Sequence, residues 1–279
     1  MSTVNPFSIL SGVDASLNSS SQKYPSLVWN GRIGDDPTQP GYFWIEATDL
    51  DFVPAGWTER QVRTGKGFVS VVAAEQIECT PMSWRSRWVV TDNDNNETYY
   101  GMDDPACATL KKRSHTQIIL DIHTEGREPF RVLWGMRGVS KTLPWYNTYI
   151  GGQKGYATWP SVLHRLYDYA AAASAELGVK AFPQAMFKIT LGTWSNDSGP
   201  IHATAGVGQY ASQTLLYAMQ DNPGTWRDIY LGDEAYAPLA QWVRDEGLEW
   251  ARDESFLSNA SSEAPAASND SNDGADVPF

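Results

Sequence analysis

Trp84-Arg85-Ser86-Arg87-Trp88 sets two guanidinium groups between two indoles. Binding a single nucleic-acid strand without sequence preference needs such groups: cations along the phosphates, and flat rings that stack on unpaired bases at about 1–3 kcal/mol each. In a β-strand, alternation sends Arg85 and Arg87 to one face and Trp84 and Trp88 to the other. One face could be core and the other groove, which makes Arg85, Arg87 and Trp88 candidate contacts.

Three further clusters extend the pattern. Lys111, Lys112 and Arg113 are adjacent cations in what reads as a loop before an alternating segment. Loops beside barrel strands can line an oligonucleotide groove, and a solvated basic surface is the alternative reading. Arg127, Phe130, Arg131, Trp134, Arg137 and Lys141 form the next cluster. There Phe130 and Trp134 share a strand face, Arg131 takes the opposite one, and Arg137 and Lys141 lie beyond the strand end as phosphate candidates. Phe130 is assigned to the core, whereas Arg131 and Trp134 are kept as strand contacts. The last cluster, residues 145–156, carries Trp145, Tyr146, Tyr149 and Lys154 among glycines and amides. It reads either as a loop that wraps a strand or as a connector whose rings plug the junction with the helical part.

Other chemistries lack their residues. His115, His123, His164 and His202 show no zinc-ligand spacing, and Cys79 and Cys107 form no Cys-x-x-Cys pair. Free thiols in a reducing cytoplasm are expected, without metal or cofactor. His115 and His123 share a strand face with Asp121, for which surface alternation is a simpler account than acid–base work. Thr64-Gly65-Lys66-Gly67 lacks the upstream glycine and the following hydroxyl residue of a phosphate-binding loop, and no nucleophile elbow is present. The expectation is therefore a protein that is not an enzyme.

These residues need a scaffold. Short β-rich segments at 42–47, 67–77, 83–91, 97–100, 115–123 and 130–135, broken by Asx, Gly and Pro turns, suggest a small antiparallel barrel or sandwich. Residues 92–96 close a hairpin. Pro160, the apolar repeat Val162, Leu163, Leu166, Ala170, Ala173, Leu177 and the following Gly178 delimit a helix. A strand at 185–191 and helices at 209–220 and 238–250 complete the reading. The fold class expected is α+β: a small OB-like antiparallel β-barrel elaborated by C-terminal helices. The expected organisation is a flexible arm at 1–23, a globular part at 24–253 that is β-rich over 42–135 and helix-containing over 136–253, and a disordered tail at 254–279.

The net charge of −12 is unevenly spread. Residues 1–220 have 18 Lys+Arg against 20 Asp+Glu, whereas 221–279 have 3 against 13. Residues 60–190 reverse the sign, with 16 against 12. No apolar run nears the roughly 18 residues of a membrane span, and the first residues lack a basic, apolar leader. A cytoplasmic protein without membrane contact is expected.

From residue 254 onward Ser, Asn, Ala, Asp and Pro dominate, a composition that cannot offset the entropy of ordering. Yet the chain ends Asp273-Gly274-Ala275-Asp276-Val277-Pro278-Phe279, with an aromatic residue bearing the terminal carboxylate. This ending resembles the C-terminal tip of bacterial single-stranded-DNA-binding proteins, in which several Asp precede an aliphatic residue, Pro and Phe. The resemblance covers the tail alone, and Gly274 and Ala275 interrupt its acidic run, which weakens electrostatic steering. It implies that Asp273, Asp276, Val277, Pro278 and Phe279 dock into basic-rimmed apolar pockets of replication and repair proteins, a form of C-terminal carboxylate capture. It also allows a homo-oligomer. The function expected is single-stranded DNA binding in replication, recombination or repair. A recombination mediator or strand-annealing protein is the first alternative, and a hydrolytic enzyme with a coincidental tail the second.

Overall fold

The computed structural model describes residues 24–30, 41–64, 67–93, 97–101, 104–137, 162–178, 182, 185–193, 195–196, 199–200, 216–218 and 224–253. Its strands are β1 (Ser26–Asn30), β2 (Tyr42–Glu46), β3 (Thr58–Thr64), β4 (Gly67–Ala74), β5 (Gln76–Thr91), β6 (Glu97–Tyr100), β7 (Arg113–His123), β8 (Phe130–Arg137), β9 (Ile189–Thr193), β10 (Ser195–Asn196), β11 (Gly199–Pro200) and β12 (Leu216–Ala218). The helices are α1 (Val162–Leu177), α2 (Asp233–Trp242) and α3 (Leu248–Arg252), with a π turn, Val243–Gly247, joining the last two.

Ten strands form one sheet in the order β12-β9-β5-β7-β8-β1-β2-β4-β3, with β6 beside the far end of β5. The pairings are antiparallel except β1 on β8, where Leu27 lies opposite Trp134. An α+β fold forms as expected, but its sheet is large and unclosed, and the closure of an OB-like barrel is not found among the described strands. The sheet curls so that β2 comes near β5 and β9. Apolar residues of its concave side then meet: Phe43 lies 4.7 Å from Trp29 and 5.7 Å from Trp134, ring centroid to centroid. Ile118, Leu120 and Ile122 join them, as their alternation requires. Helix α1 buries Leu166, Ala170 and Ala173 in the same core and ends at Gly178. At φ 67° that residue suits the left-handed cap glycine favours.

Strand β5 begins at Gln76, inside the segment expected at 67–77, and runs unbroken through the one expected at 83–91, with a bulge between them. Pairing with β7 shifts register between Pro81 and Ser83, where a proline is tolerated because ladder hydrogen bonding is already interrupted. The shift reverses parity: Cys79 points inward before it and Trp84 after it, both against the concave core.

A second apolar cluster lies on the convex side. Met82, Ile119 and Tyr24 pack against Leu239, Trp242 and Val243 of the C-terminal helical segment. Beneath this cover Arg131 grips Asp121 through two hydrogen bonds, Nε to Oδ1 at 2.6 Å and Nη2 to Oδ2 at 2.8 Å. The Trp242 ring lies 4.0 Å from the guanidinium carbon. Burial alone would lower the Arg131 pKa, but the bonded Asp121 carboxylate outweighs that effect and raises it.

Other elements depart from expectation. Residues 216–218, read as part of a helix, pair with β9 as a strand, and the rest of 209–220 lies outside the described residues. Strand β9 begins at Ile189, later than the expected 185. The helix expected at 238–250 begins at Asp233 and runs through the π turn. The arm at 1–23 and the tail at 254–279 lie outside the described residues.

Replacing one member of a buried ion pair strands the other charge, at a cost of about 3–5 kcal/mol, whereas an apolar pair of similar volume is often neutral. Arg131→Met alone should therefore destabilise by that amount, and Arg131→Met combined with Asp121→Leu should recover most of the loss. Denaturant unfolding followed by tryptophan fluorescence checks both.

Candidate nucleic-acid interface

Most of the expected contact residues within the described chain lie on β5, β7 and β8, and the structure divides them. Trp134 is fully buried in the concave core and presents no ring to a ligand. Arg131 is 3% exposed and committed to Asp121 and Trp242. Both are corrections: alternation gives a residue its face but not what covers that face.

Arg85 is corrected in the same way. Its Nε donates to Gln117 Oε1 at 2.8 Å, its Nη1 to the Trp250 carbonyl at 3.2 Å, and its guanidinium lies 4.3 Å from the centroid of the Trp250 ring. Burial pushes its pKa down to about 10, with Arg87 adding to the shift. Arg85 therefore fastens the C-terminal helical segment to the sheet. Ser83 does so one step earlier, donating from Oγ to the Gly247 carbonyl at 2.7 Å. The π turn brings the chain close here, and a Cβ on Gly247 would lie 2.9 Å from the Trp242 ring.

At the far end of β5 the side chains emerge. Arg87 is half-buried and donates from Nη1 to the Ser86 carbonyl and from Nη2 to the Asp253 carbonyl at 3.3 Å. Trp88 is also half-buried, stands opposite Tyr100 of β6 and Ser114 of β7, and has the Lys112 Nζ 4.8 Å from its ring centroid. Lys112 donates to the Cys107 carbonyl at 3.1 Å, which holds its chain over the indole. Lys111 and Arg113 are exposed on either side of it. Arg113 opens β7 and does not belong to the preceding loop. The surviving arrangement is an indole with Tyr100 opposite it in the register and one ammonium above it, whereas Arg113, opposite Val89, belongs to the other face. Tyr100 was missed by sequence reasoning; its place in the hairpin opposite Trp88 is the signal that finds it.

Arg137 closes β8 opposite His115 in the register. Lys141, Trp145, Tyr146, Tyr149, Lys154, Asp273, Asp276, Val277, Pro278 and Phe279 lie outside the described residues.

The histidine face resolves into separate contacts. His115 packs 5.6 Å from Tyr99, centroid to centroid, while His123 Nε2 lies 2.7 Å from Thr80 Oγ1 at the other end of β7. No cluster of three His, Cys, Asp or Glu side chains able to hold a metal occurs among the described residues. Burial pushes the Cys79 thiol well up, which suits an inert core residue. No helix among the described residues is long and apolar enough to cross a membrane.

A scan against protein-family models, a search of curated proteins and a search of solved structures each found no match. The geometry therefore stands on its own. It offers a ring and a cation at one end of the sheet, on the face opposite the C-terminal helical segment.

Burial lowers the His123 pKa below its usual 6.5, with the Asp121 charge partly opposing the shift. The unfolded chain then binds a proton more readily, so this contribution to stability is complete above about pH 6.5 and is lost as pH falls toward the folded value. The melting temperature should drop between pH 7.5 and 5.5, and His123→Gln should drop less over that interval; parallel melts of the two proteins measure the difference.

Proposed function

We propose that this protein binds single-stranded DNA and recruits replication or repair proteins through its C-terminal tip. The observation that carries the reading is the ending Asp276-Val277-Pro278-Phe279 on a stretch, residues 254–279, with five carboxylate side chains and no Lys or Arg. An aromatic ring behind Val-Pro on an acidic stretch is the chemistry that a basic-rimmed apolar pocket captures.

One feature of the fold supports the DNA-binding half. Trp88 has Tyr100 opposite it in the register and Lys112 over its ring, which puts stacking surface next to a cation. The Asp253 carbonyl accepts from Arg87 on the opposite face of β5. The acidic stretch at 254–279 would compete with a bound polyanion for the protein's cations.

Twelve tryptophans make binding visible in fluorescence titrations with an unstructured oligonucleotide. Affinity should fall with salt, the slope of log affinity against log salt being about −0.7 for each phosphate contacted. Replacing Lys111, Lys112 and Arg113 together by Ala should make that slope shallower by about 2 and weaken binding to all sequences alike. No affinity in dilute buffer would end the proposal. Deleting residues 264–279 should tighten strand binding and abolish capture of a repair enzyme that recognises such tips; capture that survives the deletion would refute the docking half.

A further inference from the structure

The β3–β4 hairpin belongs to the sheet at one end only. Val71, Val72, Ala73 and Ala74 are buried, whereas Gln61, Arg63, Gly67, Phe68 and Ser70 are exposed. The outer half projects beyond the core, and a two-stranded ribbon without packing is marginal in water. Its most prominent side chain is Phe68, which is 75% exposed. Gly67, paired with Thr64 at the outer end of the ribbon, adopts φ 117°, a conformation that disfavours side chains.

Register decides which residues share a face. Arg63 lies directly opposite Phe68 and Gln61 opposite Ser70, with Glu59 opposite Val72 further in. Because Val72 joins the concave core, Phe68 and Arg63 continue that concave side outward past its apolar filling. Cβ atoms of opposed residues are about 5 Å apart, so the ring and the guanidinium form one surface. Gln61 Nε2 donates to Ser70 Oγ at 2.6 Å one step inward, stiffening the ribbon beneath them. On the reverse face Arg60 is drawn toward the root, 5.0 Å from the Tyr42 ring centroid and 3.8 Å from a Glu75 carboxylate oxygen.

Charge selects the ligand. Residues 58–70 contain Arg60, Arg63 and Lys66 against the single carboxylate of Glu59, in a chain whose net charge is −12. Cations alone on an edge strand discourage strand addition, but a protruding phenylalanine beside them works against that purpose. A ring paired across the ribbon with a guanidinium instead matches a strand that presents a base and then a phosphate. We propose that the β3–β4 hairpin is a second contact for single-stranded nucleic acid, with Phe68 stacking on a base and Arg63 engaging the adjoining phosphate. This assignment rests on the strand-binding reading above, and it concerns a part of the sheet other than the Trp88 patch.

The test uses the full chain, a fluorescein-labelled oligothymidine and anisotropy at several salt concentrations. Phe68→Ala should weaken binding about five- to a hundredfold, the loss of one base stack, with the salt slope and melting temperature unchanged because the side chain is exposed and uncharged. Phe68→Trp should restore affinity, and its indole should become shielded from iodide when the oligonucleotide is added. Arg63→Ala should make the salt slope shallower by about 0.7. If the wild type binds and Phe68→Ala binds equally well at every salt concentration, the hairpin assignment is wrong while the functional proposal stands. If the wild type does not bind, both fall. A Phe68→Ala protein that keeps its affinity but sediments as a smaller species would make the hairpin a self-association surface and also overturn the assignment.

Discussion

The buried Arg131–Asp121 pair of the sheet, with the Trp242 ring over it, is the constraint around which the C-terminal helical segment packs. An ionised pair this deep is tolerated only if its hydrogen bonds are made and a packed, low-dielectric surround strengthens the attraction enough to offset desolvation. The strands supply the first condition, setting Asp121 of β7 opposite Arg131 of β8 in the register. The C-terminal segment supplies the second by laying Trp242 across the guanidinium. The helical segment at 233–252 is therefore part of the convex core. Its contacts with Ser83 and Arg85 extend the same arrangement along β5.

This arrangement bears on function through what it removes and what it leaves. Basic side chains in the middle of the sheet hold the helical cover, so a ligand has the sheet's periphery to work with. Two places there combine rings with cations: the far end of β5 with Trp88 and Lys112, and the outer half of the β3–β4 hairpin with Phe68 and Arg63. In both, a strand runs past the packed core while keeping its hydrogen-bonded partner.

Periodic patterns made part of this legible. Helix α1 could be read from its apolar repeat and capping glycine, and β7 from Ile118, Leu120 and Ile122, because each element buries one continuous face. Of strand β5 only 83–91 was read as a strand of its own, with Gln76 and Ile77 joined to the segment at 67–77, because its bulge reverses parity at a point no local pattern marks. Strand β3, Thr-Glu-Arg-Gln-Val-Arg-Thr, was missed since an edge strand exposed on both faces has no reason to alternate. Residues 216–218 were taken for helix because the strand they pair with lies more than twenty residues away. For the site, alternation correctly set Arg85 and Arg87 opposite Trp84 and Trp88. It could not show that Trp242 and Trp250, far along the chain, would cover Arg131 and Arg85.

The parallel pairing of β1 with β8 has a consequence for the order in which the molecule is made. Strand β1 leaves the ribosome about a hundred residues before its parallel neighbour β8. Until then the β1–β2–β4–β3 half has no seam to the β7–β8 half, and such distant contacts slow folding because loop-closure entropy is lost before they form. The convex cover arrives later still. A nascent chain must therefore carry Asp121 and Arg131 uncovered until Trp242, at the end of α2, has been released.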